Sequence, residues 1–499
     1  MTGGEIVTTV VDRVARDRAA QWLGRAGVYL PTLAELGYPS AIPKTRLAAL
    51  RSVDPDRPDA ANLFRINWYN DWSRAGLATQ PCHLLFPPAL TGVRSPIVMV
   101  LGCFFPMIGA HKVLAAYGCL IPRLVTGRFD PTYQRAIWPS TGNYCRGGIA
   151  ISRILDCRGV AVLPQGMSKE RFDWLSTWVA RPEDIVRTPG SESNVKEIYD
   201  RCTELARDPA NVVLNQFAEF GNYIAHYACT GPALAHLFEA LQQERPNLRL
   251  TGFVASSGSA GTLAAGDYLK ERHGARIVVV EASECPTLLR NGFGEHNIQG
   301  IGDKHVPYIH NVMNTDIVVG VSDRSTGSLD VLFNSGAGLS YLADRRHLDP
   351  ELLARLKFVG LSGIANLVAA IKTAKRLELG EEDVIVTVAT DSAALYDSER
   401  KKFLASQHPD GFDAVNAGEI FGQHLLAAVD NDVLELTHSE RTRIFNLGYY
   451  TWVEQQGVSL EAFERRRDQG FWRGVRQAAP AWNALIKEFN AATGLEEGR

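Results

Sequence analysis

The chain has 499 residues, 45% of them hydrophobic and 21% charged, which excludes long disorder and leaves length for two or three domains around a large core. A formal charge of −3 without any basic block excludes a general attraction for nucleic acid or anionic lipid, so any phosphate must be gripped locally by backbone and hydroxyl groups. The eight cysteines are scattered, with no Cys-x-x-Cys pair and no Cys or His at ligand spacing, so neither a disulfide framework nor a metal site is expected.

The opening residues, Met1 to Glu5, begin no basic segment followed by an apolar run; the chain is read as leaderless and cytoplasmic. Residues 1–60 read as a helical extension punctuated by prolines 31, 39, 43, 55 and 58. The most apolar stretch, 96–110, is broken by Pro106 and falls short of the roughly 20 residues of a membrane span, so it reads as a buried strand and turn. Just beyond it, Lys112 follows Met107-Ile-Gly-Ala-His111 and is the only lysine between Lys44 and Lys169. Burial lowers the pKa of an amine and leaves a neutral nucleophile able to form a Schiff base. A helix lysine reaching for solvent is the plainer alternative.

From about residue 134, short apolar runs alternate with helical segments. Strands are expected at 135–138, 159–163, 184–187, 211–214, 250–255, 276–281 and 383–389, and helices at 149–155, 168–179, 191–206, 261–272 and 365–377. Such alternation with short connections defines an α/β protein with parallel sheets covered by helices. The last 90 residues read as a mostly helical extension. Arg465-Arg466-Arg467 there is expected to be a solvated helix face, and Tyr449, Tyr450, Trp452, Phe471 and Trp472 to pack the extension onto the body or a second subunit.

Two loops stand where an α/β sheet presents ligand crevices, between a strand end and a helix start. The first is Pro139-Ser140-Thr141-Gly142-Asn143-Tyr144-Cys145, whose N–H groups and hydroxyls suit a carboxylate; an ordinary capped turn is the alternative. The second is Ser256-Ser257-Gly258-Ser259-Ala260-Gly261-Thr262, a hydroxyl-rich phosphate cradle that lacks the Gly-Lys of a P-loop. A dinucleotide fingerprint ending at Glu281 competes for the same loop, although its third glycine is missing. The His296, His305 and His310 grouping reads as polar loop chemistry.

In order, these segments resemble the fold-type II pyridoxal-phosphate enzymes, in their cysteine synthase (O-acetylserine sulfhydrylase) and cystathionine β-synthase branch. The similarity runs from about 102 to 396 and rests on Lys112 standing 31 residues before Asn143, on Ser140-Thr-Gly-Asn143, on Gln216 before Phe217, and on the 256–262 loop. It rests further on Asn297-Ile-Gln-Gly-Ile-Gly302 before Val306-Pro307, and on Gly360-Leu-Ser362-Gly leading into a helix. The resemblance implies a two-domain tryptophan synthase β-like fold, the smaller domain (about 100–215) inserted into the larger (about 61–99 and 216–408), with residues 409–499 outside it. It implies pyridoxal 5′-phosphate bound by Lys112, Asn143, the 256–262 loop and Ser362, and an amino-acid substrate bound by Ser140, Thr141, Gly142, Tyr144 and Gln216. The implied activity is β-elimination or β-replacement through an aminoacrylate, in a homodimer. Departures are Val113-Leu114 after the lysine, Tyr144-Cys145 after the asparagine, where Tyr144 would narrow or re-polarise the pocket, and Ser and Ala in the cup. A nicotinamide-dependent oxidoreductase and a non-catalytic paralogue are the competing readings.

Overall fold

The computed structural model describes residues 5–302 and 304–495; Met1 to Gly4, read above for a leader, lie outside them. Its strands are β1 (His83–Phe86), β2 (Ile97–Leu101), β3 (Arg135–Pro139), β4 (Arg158–Pro164), β5 (Ile185–Thr188), β6 (Asn211–Val213), β7 (Arg249–Ser256), β8 (Arg276–Ala282), β9 (Ile317–Val321), β10 (Asp383–Ala389) and β11 (Val433–Glu435). They form a small sheet, β5-β4-β3-β6, parallel throughout, and a seven-stranded sheet, β1-β2-β10-β7-β8-β9-β11.

The large sheet is parallel between β2 and β9 and antiparallel at both edges, where a purely parallel sheet was expected. Only residues 87–96 join β1 to β2, too few for a parallel crossover, so the chain must turn back. At the other edge, β11 comes from the C-terminal region and covers β9. Successive residues of the central strands face two different cores. Val98, Phe253, Val279 and Val386 join one cluster, while Met99, Val254, Val278 and Ile385 join the other. Burial on both faces explains why these strands read as unbroken apolar runs.

Two helix boundaries matter for the site. The helix expected at 149–155 spans Asn143–Ile154, so it begins on the loop asparagine itself. The helix expected at 191–206 is Val195–Leu205. Gly190 turns at φ +95°, and the Asn194 side chain accepts from the Ser191 N–H at 2.9 Å. That local bond competes with helix formation, and residues 191–194 become a loop.

The terminal regions pack together on the body. Asn490 bonds both the N–H and the carbonyl of Leu30, and the helix Arg13–Arg25 lies against Ala478–Ala492. Arg466 does not lie on a solvated face: it is 3% exposed, donates to the Tyr308 carbonyl at 2.6 Å and lies over Tyr308 and Phe463. Trp452 and Trp472 are buried against the body, as expected, while Tyr450 is exposed. Among the described residues no helix is long and apolar enough to cross a membrane.

Candidate active site

Both sheets direct strand ends at one narrow cavity of about 30 Å³. β3 leads through residues 140–142 into the helix Asn143–Ile154, β7 leads through 257–262 into the helix Leu263–His273, and β10 ends beside them at Thr390. Lys112 is the first residue of the helix Lys112–Val125, and its Nζ donates to Ser259 Oγ at 2.9 Å and to Gln216 Oε1 at 3.3 Å. The amine therefore meets the 256–262 loop directly and shares the cavity with residues of the 139–145 loop.

The cup has the chemistry of an anion site. None of the five successive backbone N–H groups of 258–262 donates to a protein group among the described residues. Together they form a concave donor array at the head of a helix, the arrangement that favours phosphate. Gly258 and Gly261 are required by close approach, since a Cβ on either would lie 2.7 Å from the Gly300 carbonyl oxygen and 2.1 Å from Asn222 Oδ1 respectively. Ser259 Oγ also accepts from Asn222 Nδ2 at 2.9 Å, and the Thr262 hydroxyl meets His111 Nε2 at 3.1 Å. His111 is fully buried, which lowers its pKa to about 3 and keeps it neutral.

Other predicted residues divide by what they present. Ser140, Thr141, Asn143 and Gln216 line the cavity. The Thr141, Asn143 and Tyr144 N–H groups donate to nothing among the described residues, which leaves a carboxylate cradle at the helix head. Gly142 turns there at φ +149°, where a Cβ would strike Arg171 at 2.5 Å. Asn143 is pinned from behind: its Nδ2 donates to Asp391 Oδ2 at 2.6 Å, and Arg146 donates to its Oδ1 at 3.0 Å.

Three other predicted residues are engaged by protein groups, although Tyr144 still lines the cavity. The Tyr144 hydroxyl donates to the Leu214 carbonyl at 3.0 Å, so it does not re-polarise the pocket. Ser257 continues the strand ladder through its N–H to Val280 and is not among the lining residues. Ser362 stands behind Thr390, their hydroxyls 2.8 Å apart, and Thr390 faces the cavity. Ser256 does line the cavity, but its hydroxyl is turned to Asn366 at 2.6 Å.

Sequence reasoning missed Glu192, His111, Thr390, Asn222 and Asp391. Glu192 lines the cavity at 2% exposure and accepts from the Thr141 hydroxyl and, at 2.9 Å, from the Gly300 N–H. Burial raises its pKa to about 7 against the opposing charge of Arg171. Burial likewise raises the carboxyl of Asp391, which Arg171, Tyr396 and Asn143 oppose. His305 is half-buried and meets the Tyr199 hydroxyl, His310 is buried and meets the Thr315 hydroxyl, and burial lowers each to about 3. Glu281 disposes of the dinucleotide reading, because its carboxylate accepts the Leu288 and Leu289 N–H groups at 2.8 Å and is not presented to a ribose.

Comparison with known proteins agrees with this geometry. Residues 89–391 match the family model described as pyridoxal-phosphate dependent enzyme. A probable cysteine synthase of Bacillus subtilis (strain 168) is 31% identical over 299 residues, covering 59% of this chain and 86% of that one. Cystathionine beta-synthase of Saccharomyces cerevisiae is 26% identical over 373 residues, covering 72% of this chain and 66% of its own. The crystal structure of an O-acetylserine dependent cystathionine beta-synthase from Helicobacter pylori superimposes with a TM-score of 0.52 at 25% identity, over 64% of this chain and 95% of that chain. The chain belongs to the pyridoxal-phosphate dependent enzyme family. Within it, this is a fold-type II enzyme of the cysteine synthase and cystathionine β-synthase branch.

Proposed function

We propose that the protein performs β-elimination or β-replacement on an amino acid, with pyridoxal 5′-phosphate joined to Lys112. The observation that carries this reading is the Lys112 amine set between an unpaired amide cup and an unpaired amide cradle. The cup of 258–262, with the Thr262 hydroxyl, would hold the phosphate, Asn143 the ring oxygen, and the Thr390–Ser362 hydroxyl pair the ring nitrogen. When bound, the cofactor supplies an electron sink for the bond broken at Cα. The protein groups do the rest. The N–H groups of Thr141, Asn143 and Tyr144, with Gln216, grip the substrate carboxylate, and this fixes the Cα–H toward Lys112. The released Lys112 amine removes that proton, and the group on Cβ departs; water or a second nucleophile then completes elimination or replacement. A hydroxyl at the ring nitrogen, in place of a carboxylate, leaves that nitrogen unprotonated and suits β-chemistry over transamination.

Borohydride reduction of the holoenzyme followed by peptide mapping should place a pyridoxyl adduct on Lys112, and Lys112→Ala should lose the cofactor's visible band. An adduct mapped to another lysine overturns the assignment. A cofactor band that no amino acid moves would favour the non-catalytic paralogue. The reading includes a homodimer acting in the cytoplasm, for which light scattering of the holoenzyme and fractionation of cells are the checks.

A further inference from the structure

The mechanism above leaves one cavity group unused, and the inference from it rests on that reading of Lys112. We propose that Glu192 is a second catalytic residue, which protonates the group leaving Cβ and takes the proton of an incoming nucleophile. Its carboxyl is on the loop 191–194, outside the Lys112 helix, and it lines the same cavity as Lys112. Both of its hydrogen-bond donors, the Thr141 hydroxyl and the Gly300 N–H, converge on Oε1. Oε2 is buried and has no hydrogen-bond partner among the described residues. With two donors already on Oε1, the carboxyl proton belongs on Oε2, the oxygen that has no donor of its own. Burial holds that proton to about pH 7, with Arg171 opposing.

The other ionisable lining groups are committed. The Tyr144 hydroxyl is bonded to Leu214, His111 is neutral and bonded to Thr262, and Lys112 handles the α-proton. Among the described lining residues Glu192 is the one carboxyl. Asp391 lies behind Asn143, tied to it and to Tyr396 at 2.7 Å.

The protons balance. Lys112 accepts the Cα proton, and the electron pair left at Cα expels the substituent as the Cβ–O or Cβ–S bond breaks. The Glu192 carboxyl gives its proton to that oxygen or sulfur, so water or a thiol departs rather than hydroxide or thiolate. In replacement, the Glu192 carboxylate takes the S–H or O–H proton of the nucleophile as the new bond to Cβ forms, which restores the acid, and Lys112 returns its proton to Cα. A neutral acid at this position favours amino acids bearing a free β-hydroxyl or β-thiol, which leave poorly without a proton. It gives little to acyl or halide leaving groups, which depart as stable anions.

Glu192→Gln keeps an oxygen for Thr141 and Gly300 and removes only the transferable proton. In the holoenzyme, its loss of turnover with L-serine or L-cysteine should exceed its loss with β-chloro-L-alanine by roughly 10²-fold or more. The decline of the parent's kcat/KM for L-serine above about pH 7 should vanish in the variant. L-serine should still shift the cofactor's visible absorbance in Glu192→Gln, as a readout of binding apart from turnover. Equal losses on all three substrates would overturn the proposal, making Glu192 a tie between loops. A parent enzyme that turns over only β-chloro-L-alanine would overturn it as well. Absence of any cofactor band in the parent would instead strike at Lys112 and leave a different enzyme to explain.

Discussion

Ala260 occupies a backbone conformation at φ +64° that L-residues avoid, in the middle of the phosphate cup. The αL region costs an alanine about 1–2 kcal/mol, whereas glycine adopts it freely but brings more unfolded-state entropy. Ala260→Gly should therefore stabilise the protein by about 0.5–1 kcal/mol in denaturant melts and keep the cofactor. Gly142 behaves oppositely. Its φ of +149° and its contact with Arg171 leave no room for a methyl group, so Gly142→Ala should weaken amino-acid binding and lower the melting temperature together. Glu192 carries a pH signature of its own. Its folded carboxyl binds a proton up to about pH 7, while in the unfolded chain it ionises in the ordinary glutamate range. The unfolded state thus releases its proton first as pH rises, and the stability that protonated Glu192 provides is lost progressively from the ordinary glutamate range up to about pH 7. The gain in melting temperature from Glu192→Gln should be larger at pH 8 than at pH 5; a pH-independent gain would show that burial does not hold the proton.

At the scale of elements, what was legible followed from periodicity and what was hidden followed from side chains that fold back. The strands at 135–139, 158–164, 249–256, 276–282 and 383–389 were readable because burial on both faces makes each an unbroken apolar run. The two loops were readable because small and hydroxyl residues interrupt that pattern at strand ends. Residues 191–194 were taken into a helix because nothing in Ser-Glu-Ser-Asn announces that Asn194 will turn back on Ser191, and Glu192 was lost with them. Thr390 and Asp391 were missed for a related reason: they follow β10 and meet Ser362 and Asn143 across 28 and 248 residues of sequence. Residues 298–302 form the roof segment, which adds Gly300 and Ile301 to the cavity lining. Gln299 Oε1 accepts from the Ser168 N–H at 3.3 Å and from Arg171, and Tyr396 donates to the Gln299 carbonyl at 3.3 Å. These bonds hold the segment whose Gly300 and Ile301 line the cavity, so they set how readily an amino acid enters. Gln299→Ala should speed hydrogen exchange of residues 298–302 and raise KM more than it lowers kcat, measured on the holoenzyme.

At the scale of the whole molecule, the C-terminal extension braces the active-site region rather than hanging beside it. Trp452 donates its indole N–H to the Val306 carbonyl at 2.8 Å and packs on His305, Tyr308 and Tyr199. Tyr199 belongs to the helix Val195–Leu205 over the small sheet, whereas Val306 follows the roof segment that comes off the large sheet. One indole therefore joins both layers a few residues downstream of the roof, and Arg466 holds the same stretch through the Tyr308 carbonyl. Truncating a buried tryptophan costs about 3–5 kcal/mol in a packed core. Trp452→Ala should lower the unfolding midpoint accordingly, and it should also loosen residues 298–312 in hydrogen exchange, because the removed ring anchors their middle at His305, Val306 and Tyr308. Trp482 offers the comparison: it is equally part of the extension, but its indole bonds the Val7 carbonyl at the N-terminal side. If the extension is a brace for the site, Trp482→Ala should destabilise the fold while leaving exchange at 298–312 unchanged. Equal loosening in both variants would mean that the extension stabilises the body generally and has no particular hold on the roof.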